Sequence, residues 1–199
     1  ENYKLGISQS NHFRTIVGAQ DNGSYIKDKT KWVAFNGSDG MEGIIHPLND
    51  NWMISSSQNG GRKRTKDGGM TGFYLNTQPV NFPHHLGDWE APLSYSPNNQ
   101  MKIYHFNDSV YVSEDFGTSW SYLGQPNSFT TNIKNAAIAE NNSDIILVSS
   151  ETFINKSNDG GTNFFDITNN LPSGIYLSDI ALDPNNDDVI IVTSSSYQN

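Results

Sequence analysis

Carboxylates that follow no repeat are the residues of this 199-residue chain best suited to chemistry. Asp21 lies in QDNG and Asp39 in NGSDGMEG, two glycine-containing turn sequences. Two carboxyl groups about 5–5.5 Å or about 6.5–9.5 Å apart hydrolyse a glycosidic bond when one is protonated and the other ionised. Asp21 and Asp39 are therefore the candidate catalytic pair. Each also suits an ordinary turn, so a purely structural role stays open.

A second group of candidates is the consecutive run Asp88, Trp89 and Glu90 in HHLGDWEAP, at an insertion that breaks the spacing of the chain. Insertions of this kind often form binding loops. Carboxylates accept hydrogen bonds from ligand hydroxyls, and an indole ring offers a flat amphipathic surface. We expect Asp88, Trp89, Glu90 and also Glu42 to bind ligand. Trp89 fits equally well as a residue that covers the core.

Metal and cofactor sites are not predicted. His84 and His85 precede the Asp88 group, but adjacent residues of an extended segment point to opposite sides, so the two do not readily share a metal. SNDGG around Asp159 lacks the further acids and the closing Glu of a calcium loop. The chain has no cysteine, which excludes disulfides and thiolate chemistry. We expect neither a metal nor a cofactor.

A repeat of about 45 residues must position these acids. One pattern, an apolar pair followed by a Pro/Asn turn and a strand-like run, recurs around Pro47, Pro97, Glu140 and Pro184. A second pattern keeps step with it in RTKDGGMTGF, VSEDFGTSW and KSNDGGTNF. This period, with short alternating strands and no helical periodicity, is typical of four-stranded β-propeller blades.

The sequence therefore predicts an all-β fold, a β-propeller whose four-stranded blades have Asp-containing turns. The chain is expected to cover about four and a half blades of a larger ring. Because ring closure removes exposed sheet edges, the remaining blades of the same parent protein are expected partners. The predicted blade limits are 3–36, 41–78, 91–125, 134–169 and, for the start of a fifth blade, 177–199.

The repeated acids have a folding role in this frame. In the pattern Ser/Thr-x-Asp-x-Gly-x-x-aromatic, the Asp is expected to accept backbone N–H groups two and three residues on. The Gly is expected to adopt positive φ, and the aromatic to pack between sheets. Recurrence once per blade argues against catalysis there. The predicted structural residues are Ser113, Asp115, Gly117, Trp120, Ser157, Asp159, Gly161, Phe164 and Asp67.

SEDFGTSW and SNDGGTNF resemble the Asp-box, or BNR, repeats of sialidases, xyloglucan-cleaving glycosidases and sortilin-type ectodomains. GAQDNGS followed by GSDGM resembles large secreted bacterial proteins labelled glycosyl hydrolase-like. The resemblance implies a propeller in which the Asp-box lies away from the active site. It does not imply sialidase activity, which needs an arginine triad and an Arg-Ile-Pro motif, whereas this chain has only Arg14, Arg62 and Arg64, and HFRTI in place of that motif.

Charge and hydropathy restrict the partners. The net charge of −9 repels a phosphate backbone, so nucleic acid is not expected. The basic run from Arg62 to Lys66 is interpreted as a solvated patch. No window approaches the roughly 18 apolar residues of a membrane span, so none is predicted.

The predicted function is that of a propeller segment in a secreted or cell-surface bacterial protein, binding polysaccharide or a surface protein. The strand order places Asp21, Asp39, Glu42, Asp88 and Glu90 on the face opposite the Asp turns. The alternative is a glycoside hydrolase that uses a carboxylate pair on a β-glucan such as xyloglucan.

Overall fold

The computed structural model describes residues 2–78, 86–127, 129, 131–172 and 174–195, and these form five antiparallel sheets in chain order. The first sheet contains β1 (Asn2–Ile7), β2 (Thr15–Ala19), β3 (Gly23–Asp28) and β4 (Lys31–Asn36). The second contains β5 (Gly40–Ile45), β6 (Met53–Ser57), β7 (Gly61–Thr65) and β8 (Phe73–Tyr74). The third contains β9 (Leu93–Ser96), β10 (Asn99–Phe106), β11 (Val110–Ser113) and β12 (Ser121–Gly124).

The fourth sheet contains β13 (Asn135–Ile138), β14 (Ile146–Ser149), β15 (Ile154–Ser157) and β16 (Phe165–Asp166). The fifth pairs β17 (Leu177–Asp183) with β18 (Asn186–Ser194). Two single-turn 3₁₀ helices, Gln58–Gly60 and Thr168–Asn170, lie in loops. No helix within the described ranges is long and apolar enough to cross a membrane.

The sheets are arranged as the blades of a propeller, which confirms the predicted fold class. The first strands are neighbours in space, since β1 packs against β5, β5 against β9, β9 against β13, and β13 against β17. Four buried hydrophobic clusters each combine residues of two consecutive sheets. Each blade therefore buries its apolar side chains against the next blade.

The cluster between the third and fourth sheets shows how this core forms. Phe106 and Val110 of the third sheet are fully buried against Ile146 and Val148 of the fourth. Burying a side chain of this size contributes about 1.5–3 kcal/mol. Because the partners lie on different sheets, this contribution holds neighbouring blades together.

The Pro/Asn turns lie where the repeat predicts them. Pro47, Pro97, Glu140 and Pro184 each fall between the first and second strands of a sheet. The Asp turns fall between the third and fourth strands, at the same end of the blades, because alternate connections of an antiparallel sheet share an edge. The candidate acids therefore belong to the opposite end.

The Asp turn of the third sheet is held by Ser113 and Asp115. The Ser113 hydroxyl accepts the Gly117 N–H (2.7 Å) and donates to Asp115 Oδ1 (2.8 Å). The same carboxylate oxygen accepts the N–H groups of Thr118 (2.7 Å) and Ser119 (2.9 Å), and the Ser119 hydroxyl donates to Oδ2. Burial alone would raise the pKa of the Asp115 carboxyl, but these hydrogen bonds outweigh it and lower the pKa to about 2.

The second and fourth sheets use the same geometry. Asp159 Oδ1 accepts the N–H groups of Thr162 (3.1 Å) and Asn163 (2.9 Å), and Asp67 accepts both the N–H and the hydroxyl of Thr71. The backbone donors thus lie three and four residues after the Asp, so the predicted donor at three residues is confirmed and the one predicted at two residues is wrong. The amide two residues on bonds instead to the preceding Ser or Thr hydroxyl.

Positive φ occurs where the turns require it. Gly117 (φ 83°) and Gly161 (φ 94°) adopt the left-handed conformation predicted for them. Phe116 also has positive φ (55°), a conformation that costs a non-glycine residue about 1–2 kcal/mol. Its ring is fully buried in the cluster with Ile54 and Ile103, and this burial offsets the strain.

The aromatic of the Asp pattern behaves as predicted in two sheets. Phe164 is buried, and Trp120 packs partly buried against the core. In the second sheet the equivalent position is Gly72, and the following Phe73 is 67% exposed, so no aromatic of this turn fills the core. Phe35 of the preceding blade fills this space. Its ring lies so close to Gly72 that a Cβ atom at this position would be only 2.7 Å from a ring carbon.

Candidate functional site

One end of the blades, here called the loop face, collects the connections between second and third strands and between consecutive sheets. Hydrogen bonds join these loops to each other. The Asp39 N–H donates to Gln58 Oε1 (3.0 Å), and the Gln58 N–H returns a bond to the Asp39 carbonyl (3.2 Å). The neighbouring Asn59 N–H donates to the Trp89 carbonyl (3.2 Å). The predicted catalytic and ligand-binding loops therefore form one connected surface.

The predicted catalytic pair lies together on the loop face. Asp21 is exposed in the β2–β3 turn with a φ of 58°, and Asp39 is half-buried in front of β5. The Asp39 Oδ1 accepts the Asp21 backbone N–H at 2.7 Å. One oxygen of this carboxylate thus fixes the neighbouring turn, and the catalytic role of the pair stays a prediction.

The run from Asp88 to Glu90 borders a cavity of about 360 Å³, here called the Trp89 cavity. Such a volume falls within the range of small-molecule sites. Its opposite walls come from the starts of first strands in other blades and from Ser195, which follows β18. The charged and aromatic side chains that line it are Lys4, Asp88, Trp89, Glu90, Lys134 and Asp179.

Trp89 presents an aromatic surface at this cavity. Its side chain is 45% exposed, and its Nε1 donates to the Tyr3 hydroxyl at 3.4 Å. Tyr3 belongs to β1, so the indole is anchored at one edge by the first blade. The ring is partly buried and partly open to solvent, so its role as a ligand-binding residue stays a prediction beside the alternative in which it covers the core.

The charge of the Trp89 cavity is predominantly negative. Asp88, Glu90 and Asp179 supply three carboxylates against the ammonium groups of Lys4 and Lys134. Lys134 is engaged elsewhere, because its Nζ lies 3.1 Å from Glu151 Oε1. Within the described part of the chain, no ion pair involves the three carboxylates. They remain acceptors for the hydroxyl or amine groups of a ligand.

Arg62 holds the loop that bears Trp89. Its side chain is only 2% exposed, and its Nη2 donates to the carbonyls of Ala91 (2.7 Å) and Pro92 (2.8 Å). The same nitrogen lies 3.2 Å from His105 Nδ1 of the next blade. The guanidinium therefore ties the end of the loop that bears Trp89 to β7 and β10.

Burial controls the ionisation of Arg62 and His105. It lowers the pKa of the Arg62 guanidinium to about 10, an effect that the negative charge of Glu42 partly opposes. Burial and the neighbouring Arg62 charge lower the pKa of His105 well below its ordinary value. The imidazole is therefore neutral at pH 7. Its unprotonated Nδ1 faces Arg62 Nη2 as an acceptor and shares the two N–H groups of that nitrogen with the Ala91 and Pro92 carbonyls.

The basic run on β7 is not the solvated patch that its composition suggests. Arg62 and Arg64 reach the third blade, where Arg64 Nη1 donates to the Phe116 carbonyl (3.0 Å). Lys63 points the other way and donates to the Phe35 carbonyl of the first blade (2.7 Å). Because side chains alternate along a strand, this one strand links the blades on both sides.

Glu42 lies apart from the other predicted ligand-binding residues. Its Oε2 accepts the Leu93 N–H at 2.9 Å and so joins β5 to β9. It lines a separate cavity of about 340 Å³ between first strands, with Leu5, Ile45 and Ile138 among the walls. The structure therefore does not bring Glu42 together with Asp88.

Sequence reasoning missed half of the six charged and aromatic residues that line the Trp89 cavity. Lys4, Lys134 and Asp179 belong to three different blades and show no local motif. A usable signal existed in the repeat, because each lies at or near the loop-face start of a first strand. His84 and His85 lie outside the described residues.

Comparison with known proteins supports the architecture. No protein-family model matches the chain, and no curated protein sequence matches it significantly. The fold is similar to that of an ancestral GH74 enzyme, with a TM-score of 0.76 and 16% identity over 98% of this chain and 27% of that one.

Two other solved structures are also similar. YCF48 bound to D1 peptide has a TM-score of 0.66 and 12% identity, covering 98% of this chain and 62% of that chain. The Niastella koreensis GH74 enzyme has a TM-score of 0.53 and 14% identity over 97% of this chain and 44% of that one. At these identities the similarity shows the propeller fold, and this chain spans less than two thirds of each protein.

Proposed function

We propose that this propeller segment is a carbohydrate-binding module whose ligand occupies the Trp89 cavity. The observation that supports the proposal is the exposed indole of Trp89 beside three carboxylates without ion-pair partners among the described residues. The C–H face of a sugar ring packs on an indole, while its hydroxyl groups donate to Asp88, Glu90 and Asp179. A surface protein is the competing ligand, and the similarity to YCF48 bound to D1 peptide supports that choice.

The proposal is tested by measuring binding of soluble glycans and glycan arrays to the protein and to Trp89→Ala. Truncation of a central aromatic anchor typically costs about 2 kcal/mol or more, so the affinity should fall by more than about tenfold. Trp32→Ala is the matched control, because Trp32 is 52% exposed on β4 and does not line the cavity. Equal affinity of Trp89→Ala and wild type would refute the proposed surface.

A glycoside hydrolase is the second candidate. The favouring observation is that Asp88, Glu90 and Asp179 surround one cavity, and two of the similar structures are described as GH74 enzymes. Hydrolysis needs one protonated and one ionised carboxyl group on either side of the scissile bond. The pair Asp21 and Asp39 is the alternative source of these groups.

Reducing-sugar release from β-glucans, including xyloglucan, tests this activity. The variants are Glu90→Gln, Asp88→Asn, Asp21→Asn and Asp39→Asn, each of which removes one charge with little change of shape. If substitution of one member of a pair lowers the rate of sugar release by at least about a hundredfold, that pair contains the catalytic carboxyl groups. Release that is undiminished in all four variants would exclude these residues, and absence of release by the wild type would leave binding as the function.

The finer assignments rest on the sequence resemblance and the turn geometry. We propose that the three Asp turns are Asp-box repeats, which is supported by their shared hydroxyl and carboxylate hydrogen bonds. A secreted or cell-surface location in a bacterium, and further blades of the same parent protein as partners, belong to the same proposal. Detection of the parent protein in culture medium or on intact cells tests the location.

A further inference from the structure

A second cavity, here called the Tyr176 cavity, opens on the loop face between the fourth and fifth blades. Its volume is about 390 Å³. Tyr176 is 54% exposed at its border, and Leu171 and Ile175 supply apolar wall. None of its described lining residues is an acid, a lysine, an arginine or a histidine, in contrast to the Trp89 cavity.

The two cavities share a wall. Tyr176 immediately precedes Leu177 and Ser178, which line the Trp89 cavity, and the Ser195 N–H donates to the Tyr176 carbonyl at 3.0 Å. Ser195 also lines the Trp89 cavity. Consecutive Cα atoms are only about 3.8 Å apart, so the start of β17 separates the two spaces by the thickness of one chain.

A second contact places the cavities side by side. Thr152 lines the Tyr176 cavity, and its neighbour Glu151 pairs with Lys134 of the Trp89 cavity. The Glu151 carbonyl also accepts the Leu177 N–H at 2.7 Å. Two independent segments, the β14–β15 loop and the start of β17, therefore form the boundary.

The chemistry of the Tyr176 cavity suits an uncharged, hydroxyl-rich unit. The Thr168 hydroxyl is already bonded to the Ile154 backbone. The other polar side chains among the described lining residues are those of Thr152, Asn169 and Tyr176. These groups both donate and accept hydrogen bonds, as sugar hydroxyls do. An anionic unit would find no positive charge there.

We propose that the Tyr176 cavity is a second binding subsite, and that the ligand is an oligosaccharide whose chain crosses the β17 wall with a neutral unit at Tyr176. This inference rests on the proposed carbohydrate-binding function. The acidic Trp89 cavity accepts one part of the chain, and the uncharged Tyr176 cavity accepts another. Affinity should therefore grow with chain length until both cavities are filled.

The test compares a disaccharide and a hexasaccharide of β-1,4-linked glucose by calorimetry, using wild type, Trp89→Ala and Tyr176→Ala. Tyr176→Ala should weaken hexasaccharide binding about tenfold and leave disaccharide binding unchanged, whereas Trp89→Ala should weaken both. Tyr74→Ala is the matched control, because Tyr74 is 73% exposed on β8 and lines neither cavity. Thermal unfolding confirms that each variant is folded.

The outcomes separate this inference from the proposed function. If Trp89→Ala weakens binding and Tyr176→Ala leaves both oligomers unaffected, the second subsite is wrong and the proposed function stands. An equal loss for both oligomers in Tyr176→Ala would overturn the division into two subsites. If neither variant changes the binding, or if the wild type binds neither oligomer, both the subsite and its glucan ligand are refuted.

Discussion

Replacing Asp115 by Ala removes the acceptor at the centre of one Asp turn. The carboxylate receives hydrogen bonds from the Thr118 and Ser119 N–H groups and from the hydroxyls of Ser113 and Ser119. Alanine accepts none of these bonds. The substitution therefore tests whether the repeated acid stabilises its hairpin.

The size of the effect follows from the ionisation of Asp115. A pKa lowered from 3.8 to about 2 corresponds to about 2.4 kcal/mol in favour of the folded state at neutral pH. The turn is partly exposed, and solvent screening reduces this contribution to about 1–1.5 kcal/mol. We expect Asp115→Ala to lower the free energy of unfolding by about 1–2 kcal/mol, which is about 3 to 6 °C in Tm.

The assay is urea unfolding of wild type and variant at several pH values. A carboxyl group with a depressed pKa in the folded state stabilises above its unfolded pKa and loses that contribution as pH falls through the folded pKa. The difference between the two proteins should therefore be constant above about pH 5 and shrink toward about pH 2. Glycan binding should not change, because the turn lies at the end of the blade opposite the Trp89 cavity.

Glu114→Gln is the matched control for Asp115→Ala. It removes one negative charge from the same turn, where Glu114 pairs with Lys102 at 3.1 Å on the surface. Exposed pairs of this kind contribute about 0–1 kcal/mol. The reasoning is refuted if Asp115→Ala is no less stable than Glu114→Gln, or if its destabilisation persists undiminished near pH 2.

Two further substitutions test the parts that support the turn and the cavity. Phe116→Ala should lower the free energy of unfolding by about 2–4 kcal/mol in denaturant titrations, because the lost buried ring outweighs relief of its positive φ; a change below about 1 kcal/mol would contradict this. Arg62→Met should destabilise by about 3 kcal/mol and also weaken glycan binding, because two loop carbonyls lose their donor. Arg62→Lys should recover part of both losses, and binding equal to wild type in Arg62→Met would show that the loop holds its position without the guanidinium.

The blade frame was predictable because its signals are local. Ser113, Asp115 and Gly117 lie within one turn, and their hydrogen bonds need no distant residue. The same holds for the Pro/Asn turns between first and second strands. The predicted bond from the amide two residues on was wrong because the Ser113 hydroxyl accepts that N–H group instead, and a pattern of residue types does not show which acceptor an amide bonds to.

The environment of individual side chains was harder to predict from the sequence. Arg62 belongs to a basic run that favours solvent exposure, yet packing of the third blade against the second buries it. The exposed Phe73 shows the converse, because Phe35 of the adjacent blade already fills the space next to Gly72. The exposure of each side chain depends on how closely a neighbouring sheet packs against it, and a short sequence pattern does not predict that packing.

By itself, the sequence determined the order of the strands, the turns that join them and the face on which the candidate acids lie, since these follow from interactions between residues a few positions apart. Only the tertiary structure decided which of those acids share a space. Lys4, Trp89 and Asp179 are distant in the chain and meet because the first strands of successive blades converge. That convergence is set by apolar packing between sheets, so the Trp89 cavity forms only when several blades are assembled.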